Sequence, residues 1–93
     1  MISGLPIDIS KIAKEDVDKE ILRVGIISEL DAINLYNQLA TMSDNENIRK
    51  VMADISNEEK THVGEFQTLL LRIDEEQKKE LENGKNEVDE LTK

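Results

Sequence analysis

The 93-residue sequence contains no cysteine and no tryptophan, and only one proline, one tyrosine and one phenylalanine. Without cysteine, the chain can form neither a disulfide bond nor a thiolate metal site. It also lacks an apolar run of transmembrane length and an N-terminal signal-peptide pattern, so the sequence predicts a soluble intracellular protein. The residues it has in quantity are Glu, Leu, Ile, Lys, Asp and Asn, and this composition favours helices over a sheet.

Positive charge is scarce as well, with 12 Lys and Arg against 21 Asp and Glu and a net charge of −9. Nucleic-acid binders need clusters of Lys and Arg for phosphate contacts, and anionic membrane surfaces attract basic segments. The charge therefore argues against both partners. A chain of this length has room for one small domain, which often needs oligomerisation or a metal to complete its core.

Hydrophobic periodicity predicts two long helices, the first over about residues 14–42 and the second over about 45–77. Between them Ser43 and Glu46 have the spacing of a capping box, which predicts the start of the second helix. Because the connection is so short, the helices must fold back as an antiparallel hairpin. The predicted fold is therefore all-α.

The two ends of the chain give weaker patterns. Residues 1–12 contain Gly4 and Pro6, and we expect an extended lead-in there. Residues 78–93 are almost all charged and contain Gly84, a helix breaker. We expect this tail to carry one short helix or to fray.

One face of each predicted helix carries a line of apolar residues with polar interruptions near its middle. Positions taken at alternating steps of four and three residues share one helix face. On the second helix these positions are Ile48, Met52, Ile55, Glu59, His62, Phe66, Leu69 and Ile73. On the first helix they are Leu22, Ile26, Glu29, Ile33, Tyr36 and Ala40. We therefore predict that Glu29, Glu59 and His62 converge on the buried side of the hairpin at one height.

An ionised carboxylate is costly to bury without compensation, and neither apolar line contains a basic residue. A divalent cation would supply the missing charge, with His62 as a neutral nitrogen ligand; a polar pair satisfied by a neighbouring helix is the alternative. Two-metal sites in helix bundles take a Glu from each of two helices and a Glu-x-x-His from each of the other two. This chain has one helix of each kind. A dimer of hairpins, forming a four-helix bundle, would complete the site.

The segments ISELDAINLYNQLA and ISNEEKTHVGEFQTLLLRID resemble the encapsulated ferritin-like proteins, over about residues 17–75. The resemblance implies a hairpin that dimerises around a di-iron ferroxidase centre and dimers that form a ring-shaped decamer. It also implies enclosure in an encapsulin shell that stores the iron, and hence a cytoplasmic nanocompartment. By matching position it assigns metal ligation to Glu29, Glu59 and His62, and it places Tyr36 next to the centre.

The sequence also departs from the pattern of this family. Many members have a second glutamate where this chain has Ser28, and Asp31 occupies the place of another acidic residue linked to metal uptake. We expect Asp31 to be a secondary metal contact at most, and Glu58 and Glu65 to be solvated. The chain ends in DELTK instead of the usual targeting peptide. The resemblance is thus consistent with a trimmed cargo protein or with a domain fused to the shell.

The predicted activity is oxidation of Fe²⁺ to Fe³⁺ with oxygen, with Glu29 bridging two irons while Glu59 and His62 hold each iron from the side. The iron would then pass to the encapsulin shell. One alternative is a non-catalytic acidic oligomerisation module with a structural metal. Another is a di-manganese relative, since the ligand set cannot select iron by itself. Gly25 and Gly64 each lower the stability of a helix interior by about 1 kcal/mol relative to alanine. We expect that the helices approach each other closely around the site at these two positions.

Overall fold

A computed structural model describes residues 8–93, and the regular elements within this range are all helical, which confirms the all-α prediction. The elements, in order, are two 3-10 turns (Ile9–Lys11 and Lys14–Asp16), α1 (Val17–Met42), α2 (Glu46–Ile73) and α3 (Glu75–Leu91). Helices α1 and α2 pack side by side as an antiparallel hairpin, and α3 contacts chiefly α2. Within the described range, none of the helices is both long enough and apolar enough to cross a membrane.

The ends of the elements differ from the sequence prediction. The extended lead-in predicted over 1–12 is wrong where the structure describes it, because Ile9–Lys11 forms a 3-10 turn; positions 1–7 lie outside the described residues. The second helix ends at Ile73 instead of about residue 77. The predicted charged tail is a helix of 17 residues that runs through Gly84 without a break.

Asp74 makes the break between α2 and α3. Its backbone is non-helical, with φ −129° and ψ 87°, and its side chain caps α3 by accepting a hydrogen bond from the backbone N–H of Gln77 at 2.9 Å. Arg23 of α1 donates to the other carboxylate oxygen of Asp74 at 2.8 Å. The hydrogen bond from Gln77 lowers the pKa of this buried carboxyl, and the charges of Lys19 and Arg23 lower it further against the opposing effect of desolvation.

Asn45 caps the N-terminus of α2, and the predicted capping box of Ser43 and Glu46 does not form. The Asn45 side-chain oxygen accepts hydrogen bonds from the backbone N–H groups of Asn47 at 2.9 Å and Ile48 at 3.2 Å. Ser43 instead accepts from the backbone N–H of Asn45 at 3.0 Å. Asparagine is among the best N-cap residues because it satisfies the unpaired N–H groups of the first turn.

The hairpin is too thin to enclose a core. Leu70 is the sole fully buried hydrophobic residue among those described, and Ser56, with 1% of its surface exposed, is the most buried side chain. In the apolar line predicted on α2, Ile48, Leu69 and Ile73 remain roughly half exposed. The contact between the helices is therefore displaced from the predicted line. Helix α1 covers the side of α2 that carries Ser56 and Leu70, and the neighbouring side of the apolar face stays open.

Candidate metal centre

Glu29 of α1 meets Glu59 and His62 of α2 near the middle of the hairpin. Each residue offers one ligand atom, and these atoms lie within 4.8 Å of one another. The Nδ1 atom of His62 is 3.4 Å from a carboxylate oxygen of Glu29 and 3.3 Å from one of Glu59. In the part of the chain that the structure describes, no other group of three acidic or histidine residues is arranged to hold a metal.

The helices bring these three residues together by their spacing and register. Glu59 and His62 are three residues apart in one helix, so their side chains leave the same face. Glu29 comes level with them because α1 runs antiparallel to α2. Two contacts on either side of the cluster mark this register: Phe66 packs against Gly25, and Ser56 donates a hydrogen bond to Asn37 at 2.6 Å.

The three side chains differ in exposure. The side chains of Glu29 and Glu59 are each 18% exposed, whereas that of His62 is 44% exposed. The carboxylates thus lie between the helices, whereas the imidazole lies at the open side of the hairpin, so the prediction that all three lie on the buried side is wrong for His62. Two carboxylates held this close, away from much of the solvent, repel each other, so the cluster attracts a cation.

The distances from His62 to the two carboxylates match the spacing of neighbouring ligands around one metal ion. Two ligand atoms that are each about 2.1 Å from an ion and subtend about 90–110° stand about 3.0–3.4 Å apart. The His62 Nδ1 atom is at this distance from both carboxylates, at 3.4 Å and 3.3 Å. Two anionic oxygens and one imidazole nitrogen are donors that suit divalent first-row metals such as iron, manganese and zinc. Three donors from one chain leave further coordination positions open.

The other residues singled out in the sequence lie outside this cluster of three. Tyr36 and Asp31 are half-buried, and Glu58 and Glu65 are exposed. Close approach is found at Gly25, where an added Cβ atom would lie 3.2 Å from the ring of Phe66. Within the single chain described, no such approach occurs at Gly64, where a Cβ atom would have no neighbour within 4 Å.

Sequence reasoning missed the contact between Ser56 and Asn37. Ser56 is not among the positions of the apolar line predicted on the second helix. A small polar residue on the inner face of a long amphipathic helix was nevertheless a signal, because a polar group in that position needs a partner. Nothing in the sequence alone identifies that partner as Asn37.

A family model described as Rubrerythrin matches residues 20–93. The crystal structure of an encapsulated ferritin domain from Pyrococcus furiosus matches with a TM-score of 0.83 and 51% identity, over 99% of this chain and 94% of that chain. These two matches confirm the family resemblance seen in the sequence.

Two curated relatives are similar over part of their length. A ferritin-like–encapsulin shell fusion protein of Pyrococcus furiosus is 60% identical over 73 residues, which are 78% of this chain and 21% of the relative. The encapsulin nanocompartment cargo protein EncC of Myxococcus xanthus is 39% identical over 56 residues, or 60% of this chain and 43% of the relative. The chain therefore spans about a fifth of the first relative and less than half of the second.

Proposed function

Since the chain belongs to the Rubrerythrin family and matches an encapsulated ferritin domain over nearly its whole length, we propose that it oxidises Fe²⁺ to Fe³⁺ with oxygen. The proposed centre holds two irons between two copies of the chain, with Glu29, Glu59 and His62 of each copy as ligands. The observation that carries the proposal is the convergence of two carboxylates and one imidazole nitrogen within 4.8 Å.

Each copy has half of the ligands that a carboxylate-bridged pair of metals requires. Such sites use a Glu from each of two helices and a Glu-x-x-His from each of the other two. Here α1 supplies Glu29, and α2 supplies Glu59 with His62. A second hairpin related by two-fold symmetry would present the same three residues from the opposite side.

The open side of the hairpin supports the location of this second copy. His62 is the most exposed of the three proposed ligands, and Leu69, one heptad after it on the same side of α2, is roughly half exposed. Ile48 and Ile73 extend the open apolar surface toward both ends of the helix. A second hairpin placed there would bury this surface and complete the metal centre with a single interface.

Iron is the substrate of the proposed reaction: each Fe²⁺ gives up one electron, and oxygen accepts the electrons. The side chains of Glu29 and Glu59 contribute one negative charge each, so two copies contribute the four negative charges that balance two Fe²⁺ ions. Carboxylate oxygens are hard donors that bind the more highly charged ferric ion more strongly than the ferrous ion. The protein would thus favour the loss of an electron while His62 fixes the position of each ion.

The proposed partner is an encapsulin shell. A pair of hairpins has no enclosed volume in which a ferric mineral could accumulate, so storage requires another protein. The names of the two curated relatives associate them with encapsulin, one as a fusion to the shell and one as cargo. We propose that this chain acts in the cytoplasm inside such a compartment, as cargo or as a fused domain, and passes ferric iron to the shell.

The test compares Glu59→Gln with Glu58→Gln. Both substitutions remove one negative charge from neighbouring positions of α2, but only Glu59 belongs to the cluster, whereas Glu58 is exposed. After anaerobic addition of Fe²⁺, native mass spectrometry should find assemblies of the wild-type protein with an even number of chains and two irons per pair. Glu59→Gln should lose this iron and the oxygen consumption that follows exposure to air, while Glu58→Gln should keep both.

Two outcomes would contradict the proposal in different ways. Monomers without bound iron, or equal effects of the two substitutions, would remove the basis for a shared centre. Binding of metal at the predicted stoichiometry without oxygen consumption would instead identify a structural metal site in an oligomerisation module.

A further inference from the structure

The interface between α1 and α2 contains a polar contact that involves none of the proposed metal ligands. Ser56 has 1% of its surface exposed, less than any other described side chain, and its hydroxyl donates to the side-chain oxygen of Asn37 at 2.6 Å. Burying a hydroxyl is costly unless it is hydrogen-bonded, and the acceptor of this hydroxyl lies across the interface.

We infer that Asn37 and Ser56 are positioning residues that fix the register of α1 against α2 and thereby the distance from Glu29 to Glu59 and His62. This inference rests on the proposed function of the cluster as a metal centre. Ser56 is about one helical turn from Glu59, and Asn37 is about two turns from Glu29. The contact thus lies in the same interface as the cluster and ties the two helices that carry its ligands.

Apolar packing alone defines this register weakly. The hairpin has one fully buried hydrophobic residue among those described, Leu70, and most of its apolar side chains remain partly exposed. A directional hydrogen bond of 2.6 Å is broken by sliding one helix past the other, whereas apolar contacts can be exchanged for similar ones. Metal ligands need their distances held to within about 0.2 Å, so even a small slide of α1 would disturb the site.

The contact between Gly25 and Phe66 limits sliding on the other side of the cluster. Because Gly25 has no side chain, the Phe66 ring packs close to the backbone of α1. A Cβ atom added at Gly25 would lie only 3.2 Å from this ring. This contact sets how closely the helices approach, while the hydrogen bond between Asn37 and Ser56 sets their axial position. The ligands lie between these two constraints.

The test compares Ser56→Ala with Thr68→Ala by titrating the full chain with Co²⁺ and recording the visible absorption bands of the bound ion. Both substitutions remove a hydroxyl group from α2, but Thr68 donates to the carbonyl oxygen of Gly64 in its own helix at 2.7 Å. Ser56→Ala should weaken Co²⁺ binding by about tenfold, as loss of supporting contacts around metal ligands does, and should alter the bands. Thr68→Ala should leave both unchanged.

A second pair of variants serves if Ser56→Ala does not fold. Asn37→Asp keeps an acceptor oxygen for Ser56 and should retain the wild-type absorption bands, whereas Asn37→Leu removes the acceptor and should change them. Identical Co²⁺ affinity and bands in wild type, Ser56→Ala and Asn37→Leu would overturn the inference but leave the metal centre in place. Failure of the wild-type protein to bind Co²⁺ would overturn the inference together with the proposed metal centre on which it rests.

Discussion

Gly25 and Gly64 both lie inside helices, yet an added methyl group would meet different surroundings at the two positions. Alanine stabilises a helix interior by about 1 kcal/mol relative to glycine. At Gly64 the new Cβ atom would have no neighbour within 4 Å, so Gly64→Ala should gain this amount in full. At Gly25 it would lie 3.2 Å from two carbon atoms of the Phe66 ring, closer than the roughly 3.5–4.0 Å of optimal contact.

The expected difference between the two variants follows from these distances. Forcing an extra methyl group into an occupied interface costs about 1–3 kcal/mol, which offsets or exceeds the helix gain of about 1 kcal/mol. Gly25→Ala should therefore be neutral or lose up to about 2 kcal/mol of unfolding free energy. Gly64→Ala should be more stable than Gly25→Ala by about 1–3 kcal/mol.

Urea denaturation followed by far-ultraviolet circular dichroism, at one fixed protein concentration, measures this difference. Gly25→Ala should destabilise the Phe66→Leu variant less than it destabilises the wild-type protein, because the phenyl ring that the new methyl group would contact is absent. If Gly25→Ala stabilises the protein as much as Gly64→Ala, then the ring yields freely. The close approach of the helices would then not depend on glycine.

Two further predictions concern the ends of the helices. Because the pKa of Asp74 is lowered from its ordinary value of 3.8, its charge stabilises the fold above that value, and this stabilisation is lost as the pH falls toward the lowered pKa. Wild type should therefore lose more stability on acidification through that window than Asp74→Asn, as measured by urea midpoints at each pH; equal losses would contradict this. Asn45→Ala should cost about 0.5–2 kcal/mol by urea denaturation because it removes the cap of α2, while the exposed neighbour Asp44→Ala should have little effect.

The periodicity of apolar residues was sufficient to predict an all-α fold and the meeting of Glu29, Glu59 and His62. These residues follow local rules: three-residue spacing on one helix, and a short turn that makes two long helices antiparallel. The residues around Glu29 on α1 and around Glu59 and His62 on α2 were sufficient to indicate the family, which the comparisons confirm. Assembly into a four-helix bundle, and ligation of iron by the three residues, stay predictions.

The sequence predictions are wrong where residues that are distant along the chain determine the structure. No helix breaker marks Asp74 in the sequence, and its non-helical conformation is held in part by Arg23, which lies far away along the chain. Likewise, the apolar period of α2 defines a face but cannot say which side of that face α1 covers. For this reason the buried positions Ser56 and Leu70 were not distinguished from Ile48 and Leu69, which remain exposed.

The nearly coreless hairpin has a consequence for when iron chemistry could begin. A chain with one fully buried hydrophobic residue among those described gains little free energy by folding alone, so a second copy would supply much of its stability. Folding and completion of the proposed centre would then be a single event. On dilution, the yield of oxidised iron per chain would therefore decrease as the protein concentration decreases. A single newly made chain would have no complete site at which to begin oxidation.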